Sequence, residues 1–476
     1  YKYPDRAIGT PEFHGYPGPK GLPLIGNLIS VVMKHGGEKM ALDQFRSLYD
    51  TYGPIWTLSV PGIGRVVAIN DPVILEYVLK TNFENYVKGE YMFNRLHDIL
   101  GNGIFASDGE GWKLQRKTAS KIFNVRNFRD LLCTVFANES LVVVDILSKA
   151  AETGEIIDLQ NLFYRFTMDC FGQVSFGKSF NCLMTPNSPN PFATAFDFAQ
   201  NVLEYRFVSP FWKLTEKYSA TGKKFREAIV ILHNYVEELI KQRRNDDPEG
   251  KNKNDLLSLF MHVEVDLDDS ENVVEKGGEQ GDAGRDTTAQ ALSWMFYLIV
   301  THPEVEQRLL EEIENILDPD ASPTYDDTRK LKYATAVIYE TLRLYPSVPK
   351  TGKLAVNDDI LPDGTFIPSG TIITYHAWVI GRSKRLWGAD ADLFKPERFL
   401  DEHGDIIKFS QTKFIAFNAG PRACLGHQFA TIEVLMLTTM ILRKFRIKLK
   451  IEEEPEPGRS LTLPMKKPLL VQISRR

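Results

Sequence analysis

Ten residues near the end of the chain constrain its fold more than any other stretch: Phe417-Asn-Ala-Gly420-Pro-Arg422-Ala-Cys424-Leu-Gly426. A lone cysteine has glycines four residues before it and two residues after it. An apolar run follows, expected to be helical from about Leu425 to Phe445. Glycine lets a backbone turn tightly and approach a flat ligand, because no Cβ stands in the way. Backbone N–H groups around such a turn, with a helix N-terminus behind them, stabilise a thiolate and lower its pKa. Arg422 stands where it can neutralise an acidic group on a ligand. A thiolate held this way suits an iron ligand, since soft sulfur pushes electron density onto the metal. A structural cysteine in a glycine turn explains Cys424 taken alone. The whole pattern F-x-x-G-x-R-x-C-x-G, however, arises by chance on the order of once in ten thousand chains of this length.

The 476 residues suit two or three domains or one large enzyme fold. With 43% hydrophobic and 25% charged residues the chain is expected to pack as a globule and not to be disordered. A net charge of −5 gives no basic surface for nucleic acid. Cys133, Cys170, Cys182 and Cys424 are too few for a disulfide scaffold and contain no CxxC pair, so they read as reduced thiols in a cytosol-facing protein. No run reaches the ~18 apolar residues of a membrane span. The chain opens on Tyr1 without a signal-peptide pattern, which leaves an N-terminal anchor ahead of it open.

Residues 1–30 form a proline- and glycine-rich lead-in, and 31–476 are expected to be a single domain. Ile55–Val60 and Arg65–Asn70 read as a hairpin. Helical periodicity marks Asn127–Lys149, Phe192–Glu204, Lys223–Arg244, Thr287–Thr301, Glu304–Ile316 and Leu331–Tyr345. Strands are expected within Leu354–Tyr375, with turns at Asp358-Asp359 and Pro362-Asp363-Gly364, and at Leu469–Ile473. The fold class is therefore mainly α with a smaller β-rich part. Glu264–Asp282, with eight acids and three glycines, reads as a solvated loop.

The cysteine loop resembles the haem-binding loop of the cytochrome P450 family. Glu340-Thr-Leu-Arg343 is similar to that family's ExxR helix, with Pro396-Glu-Arg398-Phe399 as its partner; i,i+3 spacing places Glu340 and Arg343 on one helix face. Trp112-Lys-Leu-Gln-Arg116 resembles WxxxR, whose Trp and Arg contact a haem propionate. Ala283-Gly284-Arg285-Asp286-Thr287-Thr288 is similar to A-G-x-D/E-T-T on the helix over the distal haem face. The resemblance implies haem b with Cys424 as axial metal ligand, and a haem site built by Phe417, Gly420, Arg422, Gly426, Trp112 and Arg116. It also implies proton delivery by Asp286 and Thr287. The residues themselves allow a plainer reading, in which Asp286 or Thr287 is the N-cap of a helix.

Within the family, Gly103–Trp112, Leu344–Pro349 and Gly381–Gly388 are similar to plant and fungal fatty-acid ω-hydroxylases. That likeness implies a fatty acid or alkane over the iron, with Phe105, Ala283, Val348 and Leu463 as pocket liners; each is equally explained as core. It further implies O2, an NADPH-dependent flavoprotein reductase, and attachment to the endoplasmic reticulum membrane on its cytosolic face through an N-terminal helix outside this sequence. Lys413 and Arg443 are the expected exposed cations for docking the reductase. The polar segment 264–282 favours a competing class, a haem-binding carrier or sensor without monooxygenase turnover.

Overall fold

In the computed structural model, residues 2–32, 38–121, 128–185, 190–246, 255–258, 282–318 and 321–476 are described. The acidic stretch 264–281 therefore lies outside them, and only its last residue, Asp282, is seen, as the first residue of a helix.

The longer helices are α1 Glu38–Tyr52, α2 Gly89–Leu100, α3 Gly109–Ser120, α4 Cys133–Thr153, α5 Leu159–Phe176, α6 Pro191–Val208, α7 Ala220–Asp246, α8 Asp282–Thr301, α9 Pro303–Ile316, α10 Lys332–Leu344 and α11 His427–Lys444. Local chemistry accounts for several of their boundaries. Asn190 caps α6 by accepting from Phe192 and Ala193 N–H, with Pro191 at the first helical position. Helix α9 also begins on a proline, carries Glu304 and Glu306 in its first turn, and buries Val305, Leu309 and Ile313 at four-residue spacing.

Strands are β1 Ile55–Val60, β2 Gly64–Ile69, β3 Tyr86–Val87, β4 Ile156–Asp158, β5 Thr351–Ala355, β6 Asp359–Ile360, β7 Phe366–Ile367, β8 Ile372–Tyr375, β9 Phe445–Leu449 and β10 Leu470–Arg475. One sheet runs β1-β2-β8-β5-β3, with β2 and β8 parallel; a second runs β4-β10-β9, and β6 pairs with β7. The expected turn at Asp358-Asp359 gives way partly to strand, because Asp359 is fixed by Tyr77, Asn82 and Tyr86, which all donate to its carboxylate.

The main core joins α4, α5, α8 and α11. Phe163 packs on Phe296 at 5.1 Å, and Phe136 meets Phe429 edge-on at 4.9 Å. Burying such rings contributes roughly 1.5–3 kcal/mol each. The run Gly420–Lys444 is apolar enough to cross a membrane, yet α11 is packed into this core. The lead-in lies along the hairpin: Thr57 N–H donates to Pro17 O, Ala7 N–H to Ser59 Oγ, and Asn27 N–H to Ser59 O.

Candidate haem site

Glu340 and Arg343 are fully buried on α10. Arg343 Nε and Nη2 bind Glu340 Oε2 and Oε1 at 2.6 and 2.7 Å, and Arg398 Nε reaches Oε1 at 3.3 Å. The remaining Arg343 donors take the carbonyls of Gly381, Ala391 and Leu393, while Lys395 N–H donates to Glu340. Arg398 is further held by Asp390 Oδ1 at 3.0 Å and Trp387 O at 2.8 Å. A buried ion pair is tolerable only when its other donors and acceptors are satisfied, as they are here. The set fixes the segment 381–398 against α10, on the path leading to the cysteine loop.

In the loop, Cys424 N–H donates to Phe417 O at 2.8 Å, closing the turn. Phe417 stacks on His427 at 3.8 Å, and Tyr339 Oη lies 3.1 Å from His427 Nε2. Gly420 has φ +68°, and a Cβ there would sit 2.0 Å from Leu79 O. Its glycine is thus required by the approach of the protein's own backbone. Gly426, immediately before α11, leaves the space beside Cys424 open, with an added Cβ 3.9 Å from Sγ. Cys424 is accessible, but deep within surrounding protein. Burial pushes its thiol pKa up, against the pull of the Gly426 N–H and Arg116. The expected lowering is therefore not achieved by the loop alone; a bound metal deprotonates a coordinating thiol outright.

Around the loop stands a group of cations. Arg116 Nη2 donates to Ala423 O at 2.6 Å, and Arg422 lies 4.3 Å over the Trp112 ring. Arg422 Nη2 binds Asp108 Oδ1 at 2.6 Å and Ser107 O at 2.7 Å. The motifs gave no hint of Lys88 and Lys353, which join this group. Burial followed by Arg422 pushes the Lys88 ammonium down to about 8. Burial, then Lys88 and Arg422, holds Lys353 well below the usual lysine range. Lys353 Nζ and Arg422 Nε are buried with no hydrogen-bond partner. Asp108 opposes these charges and also accepts from Lys88 and Gly89 N–H. Uncompensated buried cations beside an accessible thiol fit a ligand that combines a metal with acidic arms. Haem b matches that description: Cys424 would hold its iron, and Lys88, Arg116, Lys353 and Arg422 its propionates.

Asp286 and Thr287 lie inside α8, four and five residues past its start, so neither is an N-cap. Asp286 is buried; the Gln200 amide donates to its Oδ2, and Arg285 Nη1 lies 3.1 Å from Oδ1. Burial raises its pKa, and Arg285 offsets part of the rise. Ser347 Oγ donates to Thr287 O at 2.8 Å, which ties Val348 to this part of α8.

Of the expected pocket liners, Phe105 and Val348 are each 41% exposed. Leu463 is not a liner: it is fully buried with Leu42, Trp378 and Val379, and its backbone binds Gln290 and Trp294. Ala283 is on α8, and its side-chain surroundings lie outside the described residues. Lys413 and Arg443, expected to be exposed, each engage neighbouring groups. Lys413 Nζ sits over Phe409 and Trp387, and Arg443 donates to Ala321 O and Asp318 O. Both are half-buried.

The family model for cytochrome P450 matches residues 16–473. This chain belongs to the cytochrome P450 family. It is similar to cytochrome P450 monooxygenase cyp1 of Mycosarcoma maydis, 37% identical over 100% of this chain and 78% of that protein. Cytochrome P450 94C1 of Arabidopsis thaliana is 38% identical over 88% and 87% of the two chains, and cytochrome P450 704B1 of the same plant 35% over 96% and 95%. The chain is thus a P450 monooxygenase with the P450 fold, and its cofactor is haem with a cysteine thiolate as axial ligand.

Proposed function

We propose that this P450 hydroxylates the ω carbon of a fatty acid or alkane, using electrons from an NADPH-dependent flavoprotein reductase at the cytosolic face of the endoplasmic reticulum. The observation that carries turnover, and not haem carriage alone, is the acid–alcohol pair Asp286–Thr287 within a formed helix, tied by Ser347 to the segment that carries Val348. The substrate class rests on the stretches Gly103–Trp112, Leu344–Pro349 and Gly381–Gly388 and their likeness to ω-hydroxylases.

Bound haem supplies the splitting of O2 and insertion of one oxygen atom into a C–H bond. The chain's own residues do the rest. Cys424 Sγ would hold the haem iron. Lys88, Arg116, Lys353 and Arg422 would hold its acidic groups and so orient it. Asp286 holds a proton at its carboxylate, and Thr287 Oγ1 passes it on as a hydrogen-bond donor. Apolar side chains exposed on the lead-in and next to it in space support membrane attachment: Ile8, Leu22 and Leu24, with Phe211 and Leu214, which follow Pro210 beside the β1–β2 turn.

The test is the reduced, carbon-monoxide-bound spectrum of the purified chain with dodecanoic or octadecanoic acid, followed by product analysis with reductase and NADPH. A red-shifted thiolate Soret band, a spin-state change on adding lipid and an ω-hydroxylated product are expected. Thiolate-bound haem that never yields product would establish the carrier reading instead. Thr287→Ala should divert electrons to hydrogen peroxide; unchanged product yield in that variant would remove Thr287 from the proton path.

A further inference from the structure

Arg285, next to Asp286 on α8, is buried and faces two carboxylates. Its Nη1 lies 2.6 Å from Asp197 Oδ1 on α6 and 3.1 Å from Asp286 Oδ1, and its Nη2 donates to Asp197 Oδ2 at 3.4 Å. The two acids differ in access: the Asp197 side chain is 55% exposed and that of Asp286 6%. One guanidinium thus bridges a solvent-facing and a core-facing carboxylate. Outside it lies a cavity of about 200 Å³, lined by Asn161, Tyr164, Arg165, Thr194, Asp197 and Arg285 among others. Arg165 Nε and Nη1 and Arg285 Nε are buried without a hydrogen-bond partner. Unpaired guanidinium N–H groups along a polar cavity call for water, and this volume holds about six molecules. Asp197 and Arg285 line the cavity, whereas Asp286 sits behind Arg285.

We propose that Asp197 is a positioning residue for proton delivery: it competes with Asp286 for the Arg285 guanidinium and, by drawing it outward, opens Asp286 Oδ1 to the cavity water. The inference rests on the reading of Asp286 as the proton relay. With Arg285 on Asp197, a proton passes from hydrated solvent in the cavity to Asp286 Oδ1; a water O–H bond breaks as the carboxyl O–H forms, bulk buffer restores the water, and no electron moves. With Arg285 on Asp286, the carboxylate is held ionised and shielded. The shorter contact belongs to Asp197, while Asp286 Oδ1 stays buried 3.1 Å from the same nitrogen, so the structure holds the bridged arrangement from which Arg285 moves to either acid. In a working switch both arrangements are populated.

Among the described residues, the groups facing Asp286 are Arg285 on its own helix, Asp197 and Gln200 on α6, and Tyr164 on α5. Of the neighbouring charges, Arg285 lowers the affinity of Asp286 for its proton and Asp197 raises it. Asp197→Asn is nearly isosteric at a half-exposed position, and it removes the competitor. In the haem-loaded full chain, an infrared carboxylic-acid band assigned to Asp286 by its loss in Asp286→Asn should titrate about one pH unit lower in Asp197→Asn. The solvent isotope effect on product formation should rise about twofold, with more peroxide released and an unchanged lipid-induced spin shift. Asp197→Glu should restore both. Wild-type titration and isotope effect in Asp197→Asn would overturn the proposal while leaving the relay intact. If Asp286→Asn itself leaves isotope effect and coupling unchanged, the relay reading falls and this proposal with it.

Discussion

Residue by residue, the haem end of the molecule is marked by buried charge without a protein partner. Lys353 is the sharpest case, a buried ammonium whose pKa burial and neighbouring cations hold far down. Lys353→Met should therefore act in opposite directions on two quantities. The haem-free chain should gain about 1 kcal/mol in denaturant unfolding, because an unpaired buried charge is gone. Haem affinity, read by transfer to apomyoglobin, should fall about tenfold, because a charge-assisted hydrogen bond is lost. Glu433 on α11 is a different kind of buried acid: burial pushes its carboxyl up to about 8 beside Cys170 and Thr288. Between the unfolded value of about 4.3 and 8, the folded chain keeps a proton that the unfolded chain releases, so stability falls as pH rises through that window. Glu433→Gln should be neutral below pH ~4.5 and increasingly stabilising toward pH ~8, by up to about 1 kcal/mol per unit; urea midpoints at both ends check this. None of this could be read from residue identities, because an isolated lysine or glutamate in a sequence carries no sign of its burial.

At the scale of elements, the loop and α10 behave as one assembly. Helix α10 was legible as a helix because its apolar residues recur with helical period, and its Glu–Arg pair because i,i+3 spacing puts both on one face. The partners that make that pair tolerable, the carbonyls of Gly381, Ala391 and Leu393, lie about forty to fifty residues downstream. Glu340→Gln removes the charge that two guanidiniums share, and it should cost about 3–5 kcal/mol in thermal or denaturant unfolding, enough to abolish haem loading in this chain. Gly420→Ala is a sharper test of the loop. A Cβ there collides with Leu79 O at a positive φ, so loss of the thiolate-type spectrum is expected together with a lower Tm. Retention of both would mean that the loop relaxes without disturbing Cys424. The missing Cβ of glycine suggests ligand approach; sequence alone could not show Leu79, because the contact spans more than three hundred residues.

For the whole molecule, the lead-in, the β1–β2 turn and the segment from Pro210 bring exposed apolar side chains to neighbouring parts of the surface. A double variant, Leu24→Asp with Phe211→Asp, should weaken binding to neutral phospholipid vesicles about tenfold in a flotation assay, with the carbon-monoxide spectrum unchanged. Equal vesicle binding by variant and parent would place the membrane contact elsewhere. The helical core, the β hairpin, the cysteine loop and the paired motifs were legible in one dimension, because each is local: periodicity, turn residues and short spacing survive there. Which groups share a charge follows from packing in three dimensions. Packing placed Lys88 and Lys353 with Arg422, set Arg285 between Asp197 and Asp286, laid Lys413 over Trp387, and put Leu463 in a core cluster. Electrostatics and burial depend on distances through space, and packing sets those distances between residues far apart in the chain.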